Sequence, residues 1–429
     1  MYFGLMIAIF VIGYAMIALE HPLKINKSAT AVLLAAVIWA VFALFGPGIK
    51  DGALIHHLGE TAEILFFLLG AMTIVEIVDK HDGFSIITDR ITTTSKRKLL
   101  WIISILTFFM SAVLDNLTTS IVMCALLRKL VGDKNTRWFF AGMVILAANA
   151  GGAWSPIGDV TTIMLWIKGN ITAGNIILET IIPSLVSLLV PVAIIGMTMK
   201  GKLERPEKTE SEGTSTVTRK QSLLILCMGV GLLLFVPFFK TITHLPPYLG
   251  ILFGLGILWI TTEIMHKNNP TNYSRLNVTA IIQKVDVPSV LFFLGILMAV
   301  SCLNEAGHLG QLAGVLDKLE NVYVINIVIG VLSSIIDNVP LVAAAMGMYP
   351  IEAIGNFAVD GAFWEGLAYC AGTGGSLLII GSAAGVAVMG MEKIDFIWYL
   401  KKISLWALIG YLAGAGTFYL MSTLIFHAA

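Results

Sequence analysis

Apolar residues fall into long runs near 3–20, 29–46, 62–78, 99–130, 138–167, 173–199, 222–240, 247–265, 287–303, 322–349, 363–390 and 402–425, with short polar connections between them. About 20 apolar residues in a helix cross the hydrocarbon core of a bilayer, so most of these runs predict single spans. Four do not fit. The runs 99–130 and 322–349 are too long for one crossing. Each is interrupted by an Asp-Asn pair, Asp115-Asn116 in "MSAVLDNLTTSIVM" and Asp337-Asn338 in "LSSIIDNVPLVAA". The runs 138–167 and 363–390 are also long, and each has a glycine-rich middle, "NAGGAWSPIGD" and "AGTGGSLLIIG".

The two halves of the pattern match. Phe66-Phe67 and Phe292-Phe293, Asp115-Asn116 and Asp337-Asn338, and Gly151-Gly152 and Gly374-Gly375 stand 226, 222 and 223 residues apart, in one order. A duplicated unit is expected: 1–200 as the first repeat, 201–221 as a solvated linker around "ERPEKTESEGTSTVTRK", and 222–429 as the second repeat. Within each repeat come three spans, an interrupted element, a glycine-broken element and a last span.

Lysine and arginine decide whether the interrupted elements cross or turn back. If both are re-entrant hairpins and the N-terminus is outside, 23 of the 27 basic residues fall in cytoplasmic loops. Only Lys50, Lys168, Lys240 and Lys318 then face outward, as the positive-inside rule requires. A simple crossing would instead set Arg128, Lys129, Lys134 and Arg137 opposite Lys96, Arg97 and Lys98. With hairpins each repeat has five crossings, an odd number, so the second is inverted. The expected fold is all-α and polytopic: an inverted-repeat secondary transporter of about ten transmembrane helices and two re-entrant hairpins, with both termini extracytoplasmic.

Composition agrees. The 429 residues are 57% hydrophobic and 13% charged, against roughly 25% charged in soluble domains. Formal net charge is zero and the basic residues are dispersed, so nucleic acid is not an expected partner. Cys124, Cys227, Cys302 and Cys370 lie in apolar segments without metal-binding spacing and read as small buried hydrophobes. No basic region precedes the first apolar run, so no cleavable leader is expected.

An ionised side chain at membrane depth costs about 2.5–3.5 kcal/mol on insertion scales and is seldom kept without a use. Asp115, Asp159 and Asp337 lie centrally in apolar elements, the first and last at hairpin tips where irregular backbone must face protein or water. In "NAGGAWSPIGDVTT" the glycines break the helix, Ser155 is the expected cap of its second half and Pro156 its first turn. Asp159 is then expected one turn in, with Thr162 nearby and Asn149 hanging from the first half. A hard monovalent cation takes oxygen ligands, and Asp115, Asn116, Thr118, Asn149, Asp159 and Thr162 supply them. The second half keeps Asp337 and Asn338, but glycine alignment sets Ser382 opposite Asp159; Ser376 and Ser382 complete the expected site. Such carboxylates bind Na⁺ or H⁺ in competition, which with alternating access suffices for antiport.

Bland roles compete for several residues. Thr118 and Thr161 could serve only backbone carbonyls, Ser376 and Ser382 could be small packing residues, and Glu76 and Asp79 should pair with the basic loop after their span. His81 and His308, at similar points of the two halves, are candidates for pH sensing. "GTGGS" lacks a preceding strand and a following Lys-Ser/Thr, so no nucleotide site is expected.

Hairpin tips "DNLTTSIV" and "DNVPLVAA" with "NAGGAWSPIGDVTTIMLW" resemble, over essentially the whole chain, the NhaD-type sodium/proton antiporters of the ion transporter superfamily. The resemblance implies Na⁺(Li⁺)/H⁺ exchange across the bacterial cytoplasmic membrane, with no cofactor, and a homodimer in the lipid bilayer with elevator-like motion. It implies roles for Asp115, Asn116, Asn149, Asp159, Thr161, Thr162, Ser333, Asp337 and Asn338. Sodium-coupled dicarboxylate carriers and arsenite exporters of the same superfamily are the alternatives. The former resemble this architecture but carry Ser-Asn-Thr at their tips, and two acids there would repel a dicarboxylate. A channel is disfavoured by the paired hairpins. An intramembrane enzyme is disfavoured because no Ser/His pair, HExxH or GxGD motif lies at membrane depth.

Overall fold

The computed structural model describes residues 2–203, 217–267 and 276–426; most of the expected linker, 204–216, lies outside them. Among the described residues the chain is helical, with two isolated bridges and no strand. The first half contains α1 (Tyr2–Ala18), α2 (Lys27–Phe45), α3 (Ala53–Lys80), α4 (Lys96–Leu114), α5 (Asn116–Leu130), α6 (Lys134–Gly152), α7 (Val160–Lys168) and α8 (Ala173–Thr198). The second contains α9 (Arg219–Thr243), α10 (Pro247–His266), α11 (Val287–Glu305), α12 (His308–Leu316), α13 (Val322–Leu332), α14 (Asn338–Met348), α15 (Ala362–Gly374), α16 (Ala383–Glu392), α17 (Phe396–Lys402) and α18 (Ser404–Met421). Their starts are set by side-chain caps: Asn26, Ser95, Asp133, Thr172 and Asp395 each accept a first-turn N–H, and Thr218 with Gln221 forms a capping box.

Among the described residues eight helices are individually long and apolar enough to span a membrane: α2, α3, α4, α8, α9, α10, α11 and α18 with its extension to Phe426. These differ from the expected spans. The broken elements are pairs of helices, α6–α7 and α15–α16, none of which qualifies singly, and α1 at 17 residues falls just short. Helix α4 is long enough to cross yet turns back at Asp115.

That reversal is fixed by contacts at the helix ends. Lys96 Nζ, at the start of α4, donates to Thr136 Oγ1 at the start of α6 at 3.2 Å, so α5 has returned to the end that α4 left. Ser95 bridges Lys202, and His81, just past α3, meets His266 at the end of α10, which gathers these basic termini at one end of the molecule. The second hairpin returns at the opposite end: Asp317, before α13, accepts the Tyr349 hydroxyl, after α14, at 3.0 Å. Lys50 and His57 pair with Glu305 at that end, and Lys168 pairs with Glu60.

The packing follows a two-fold order. Helix α2 packs on α11 as α3 does on α10; α4 packs on α6 as α13 does on α15; α5 packs on α16 as α7 does on α14. The pairs α3–α11 and α8–α18 map onto themselves. Close approach of each broken pair to its neighbouring hairpin limb depends on glycine. A Cβ at Gly151 would overlap the Phe108 carbonyl, and one at Gly374 would overlap the Gly330 carbonyl. Helices α4–α8 and α13–α18 thus form one packed body, and α1–α3 with α9–α11 form a second against which the hairpin tips lie.

Candidate functional site

The two helix breaks and the two hairpin tips converge on one carboxylate. Residues 153–159 leave helical geometry after Gly152, and Asp159 is the N-cap of α7. Its Oδ1 accepts the Thr161 N–H and the Thr161 hydroxyl, both at 2.9 Å, while its backbone carbonyl accepts the Thr162 hydroxyl at 2.9 Å. This corrects the expected placement. Asp159 is not one turn inside the helix, and Ser155 does not cap it. The Ser155 hydroxyl is taken by the Ala112 carbonyl at 2.5 Å, which anchors the loop to the first hairpin and leaves the cap to the next good N-cap residue.

Asn116 of the first tip donates Nδ2–H to Asp159 Oδ2 at 2.6 Å and to Asn149 Oδ1 at 3.1 Å. Asn338 of the second tip reaches both Asp159 oxygens at 3.3 Å. Asn149, in the last turn of α6, donates across the halves to Ser376 Oγ at 2.9 Å and Ser382 Oγ at 3.0 Å. Ser382 caps α16, accepting from Gly385, so it occupies the position that Asp159 holds on α7. Asn116, Asn149, Asp159, Thr161, Thr162, Asn338, Ser376 and Ser382 are all buried. Among the described residues no lysine, arginine or histidine pairs with Asp159.

Each Asp-Asn pair is split: its asparagine turns inward to Asp159, and its aspartate turns to the second body. Asp115 sits at φ 73°, in the left-handed region, between α4 and α5, and its carboxylate accepts the Thr118 N–H at 2.7 Å and the Thr118 hydroxyl at 2.9 Å. It lines a cavity of about 20 Å³ with Phe67, Ala71 and Val75 of α3 and Leu233 of α9. Asp337 lies 3.8 Å from the Lys27 ammonium of α2, and its N–H donates to the Tyr14 hydroxyl of α1 at 2.9 Å. Thr118 thus serves Asp115 rather than the convergent cluster. The Ser333 hydroxyl donates to the Ala371 carbonyl at 2.8 Å, mirroring Ser111 on Ala148 at 2.6 Å, and so clamps α13 to α15.

The histidines lie far from this cluster. His81 is buried, its Nδ1 2.7 Å from the Ile77 carbonyl and its Nε2 3.0 Å from His266 Nε2. Burial pushes the His81 imidazole below its ordinary range, and His266 beside it acts in the same direction. His308 is buried against the Phe3 ring, and burial lowers it as well. Glu76 and Asp79 pair with Lys80 at 3.0 and 3.3 Å.

Sequence reasoning passed over Glu179 and Glu365, buried acids on α8 and α15 that meet through Asn175 Nδ2 at 2.7 and 3.3 Å. The signal was present, since each is an acid inside an apolar run. Lys27 and Tyr14, the partners of Asp337, gave no signal of their own.

Chemically, the cluster offers one carboxylate, three amides and four hydroxyls in a buried setting, all hard oxygen groups suited to an alkali cation. The carboxylate alone can exchange that cation for a proton. The sequence profile of the CitMHS family, described as citrate transporter, matches residues 7–365. Sodium/proton antiporter 1 of Arabidopsis thaliana is 48% identical over 427 residues, covering 98% of this chain and 73% of the relative. Sodium/proton antiporter 2 of the same plant is 46% identical, covering 96% and 98%. The Na(+)/H(+) antiporter NhaD of Vibrio cholerae is 33% identical, covering 92% and 86%.

Proposed function

We infer the function from the premise that this chain belongs to the CitMHS family and, within it, to the NhaD-type sodium/proton antiporters. The protein is a multi-pass membrane transporter that exchanges Na⁺ for H⁺. The observation that carries the site assignment is the convergence of Asn116 and Asn338 on the buried carboxylate of Asp159, with Asn149 joined to them through Asn116. Na⁺ and H⁺ compete for that carboxylate. With the proton bound or the carboxylate bare, the amide N–H groups donate to it. With Na⁺ bound, the Asn116 and Asn338 amides turn about χ2 and present Oδ1, so the same two side chains serve both states. Thr161 holds the carboxylate orientation, and Ser376 and Ser382 bring the second half to the ion through Asn149. Asp115 and Asp337 flank the path at the boundary with α1–α3 and α9–α11.

The two-fold packing order supports an inverted repeat at 1–200 and 222–429, with the 99–130 and 322–349 hairpins entering from opposite sides. We place the basic end in the cytoplasm and the termini outside, in a bacterial cytoplasmic membrane, with Li⁺ as a second substrate and a homodimer as the working form. A dicarboxylate or citrate reading is disfavoured by an acid at the centre of the site with no cationic side chain beside it among the described residues. The test is proton flux in proteoliposomes on addition of Na⁺, Li⁺, K⁺ or citrate. Na⁺ and Li⁺ should move protons and citrate should not. Asp159→Asn should abolish the flux while the protein still folds; wild-type flux in that variant, or uptake driven by citrate, defeats the assignment.

A further inference from the structure

At the basic end of the molecule, α4, α6, α8, α17 and α18 enclose an open cavity of about 610 Å³ that the exchange chemistry does not use. Three lysines line it: Lys96 at the start of α4, Lys200 after α8 and Lys402 at the end of α17. Trp398 and Trp406 form a second wall, and Phe139, Ile195 and Met199 make it apolar toward the helices. Among the described residues no carboxylate lines the cavity. Asp133, which feels the Lys96 charge, turns its carboxylate to the α6 N-terminus, accepting the Thr136 N–H at 2.7 Å. Lys96 donates to Thr136 Oγ1 and is half-buried, while Lys200 and Lys402 extend freely into solvent.

We propose that this cavity binds the headgroup of an anionic phospholipid from the cytoplasmic leaflet. The chemistry is that of a phosphate diester: three ammonium groups around a wet mouth, with two indoles at the interface level and an apolar floor for the first acyl carbons. A soluble anion would use the lysines but not the apolar wall, and a zwitterionic lipid would bring its own cation against three lysines. The cavity lies wholly within the body that carries Asp159, so a lipid held there travels with the ion site. The orientation rests on the reading above; the binding itself does not.

Protein in nanodiscs of phosphatidylcholine is titrated with brominated phosphatidylglycerol or brominated phosphatidylcholine, and tryptophan quenching is read. A lysine near an anionic surface is worth about a fivefold change in affinity, so wild type should prefer the anionic lipid by at least tenfold. Lys96→Gln with Lys200→Gln and Lys402→Gln should bring that ratio to about one. Trp398→Phe with Trp406→Phe should lose the selective quenching but keep the affinity, read by competition with unlabelled lipid. Equal quenching by the two lipids, or an unchanged ratio in the triple lysine variant, overturns the proposal. So does displacement of the brominated lipid by inorganic phosphate alone, which would mark a site for soluble anions. Wild-type Na⁺-driven proton flux is measured on the same preparation, so failure of the exchange reading is seen separately from failure of lipid binding.

Discussion

At the scale of single residues, the Asp-Asn tips behave as two tools rather than one. The asparagine reaches the Asp159 carboxylate, and the aspartate faces the boundary between the bodies. The same split occurs on two different backbones, with Asp115 at φ 73° and Asp337 at φ −46°. No pattern in the sequence fixes that sign, because Asp and Asn both tolerate the left-handed region. The sequence therefore identified both tips and nominated acid and amide alike, without separating their directions. The separation makes a testable difference. A hydrogen bond to a charged partner contributes about 1.5–3 kcal/mol, so Asn116→Leu should weaken apparent Na⁺ affinity by roughly 10- to 150-fold. Measured as the KM for Na⁺-driven proton flux, Thr118→Val should move it far less, since Thr118 serves only Asp115.

At the scale of elements, the hairpins were legible from where lysine and arginine fall, and the helix breaks from glycine. The cap of α7 was not, because Ser155 is as good a cap as Asp159 until the Ala112 carbonyl claims its hydroxyl. The glycines of the breaks have a packing role that spacing alone does not reveal. Gly151→Ala and Gly374→Ala would each push a methyl into the backbone of the neighbouring limb, costing about 1–3 kcal/mol or more. Thermal unfolding in detergent should show both well below wild type, with Gly174→Ala, which meets nothing, at or slightly above it. The ends of α3 and α10 add a pH dependence. His81 has its folded value lowered, so the folded state resists a proton that the unfolded chain takes up near pH ~6.5. Stability at that contact is full above this value and is lost as pH falls below it. Amide exchange at Ile77–Asp82 should rise on acidification from pH ~7 to ~5, and His81→Gln should flatten the response.

At the scale of the whole molecule, a duplication was read from three landmarks at nearly one offset, but the contacts that join the halves could not be read. Pairings such as α2 with α11 and α8 with α18 bring together residues far apart in sequence with no local signature. Two bodies result, and the alternating access proposed above predicts that the body carrying Asp159 moves against the other. Glu60 on α3 and Lys168 on α7 form an ion pair across that boundary. Replacing both with cysteine and joining them with a short thiol-reactive cross-linker should stop Na⁺-driven proton flux, whereas either single variant treated alike should keep it. Flux that survives a completed cross-link would show that exchange needs no movement between these bodies.

Asn149 gives the duplication a biochemical consequence. Its one amide accepts from the first tip and donates to two serines of the other half. Neither half alone can assemble the pocket, however well it inserts. Two polypeptides cut between 203 and 217 and made in the same cell should complement each other, rescuing a sodium-sensitive strain that neither fragment rescues by itself.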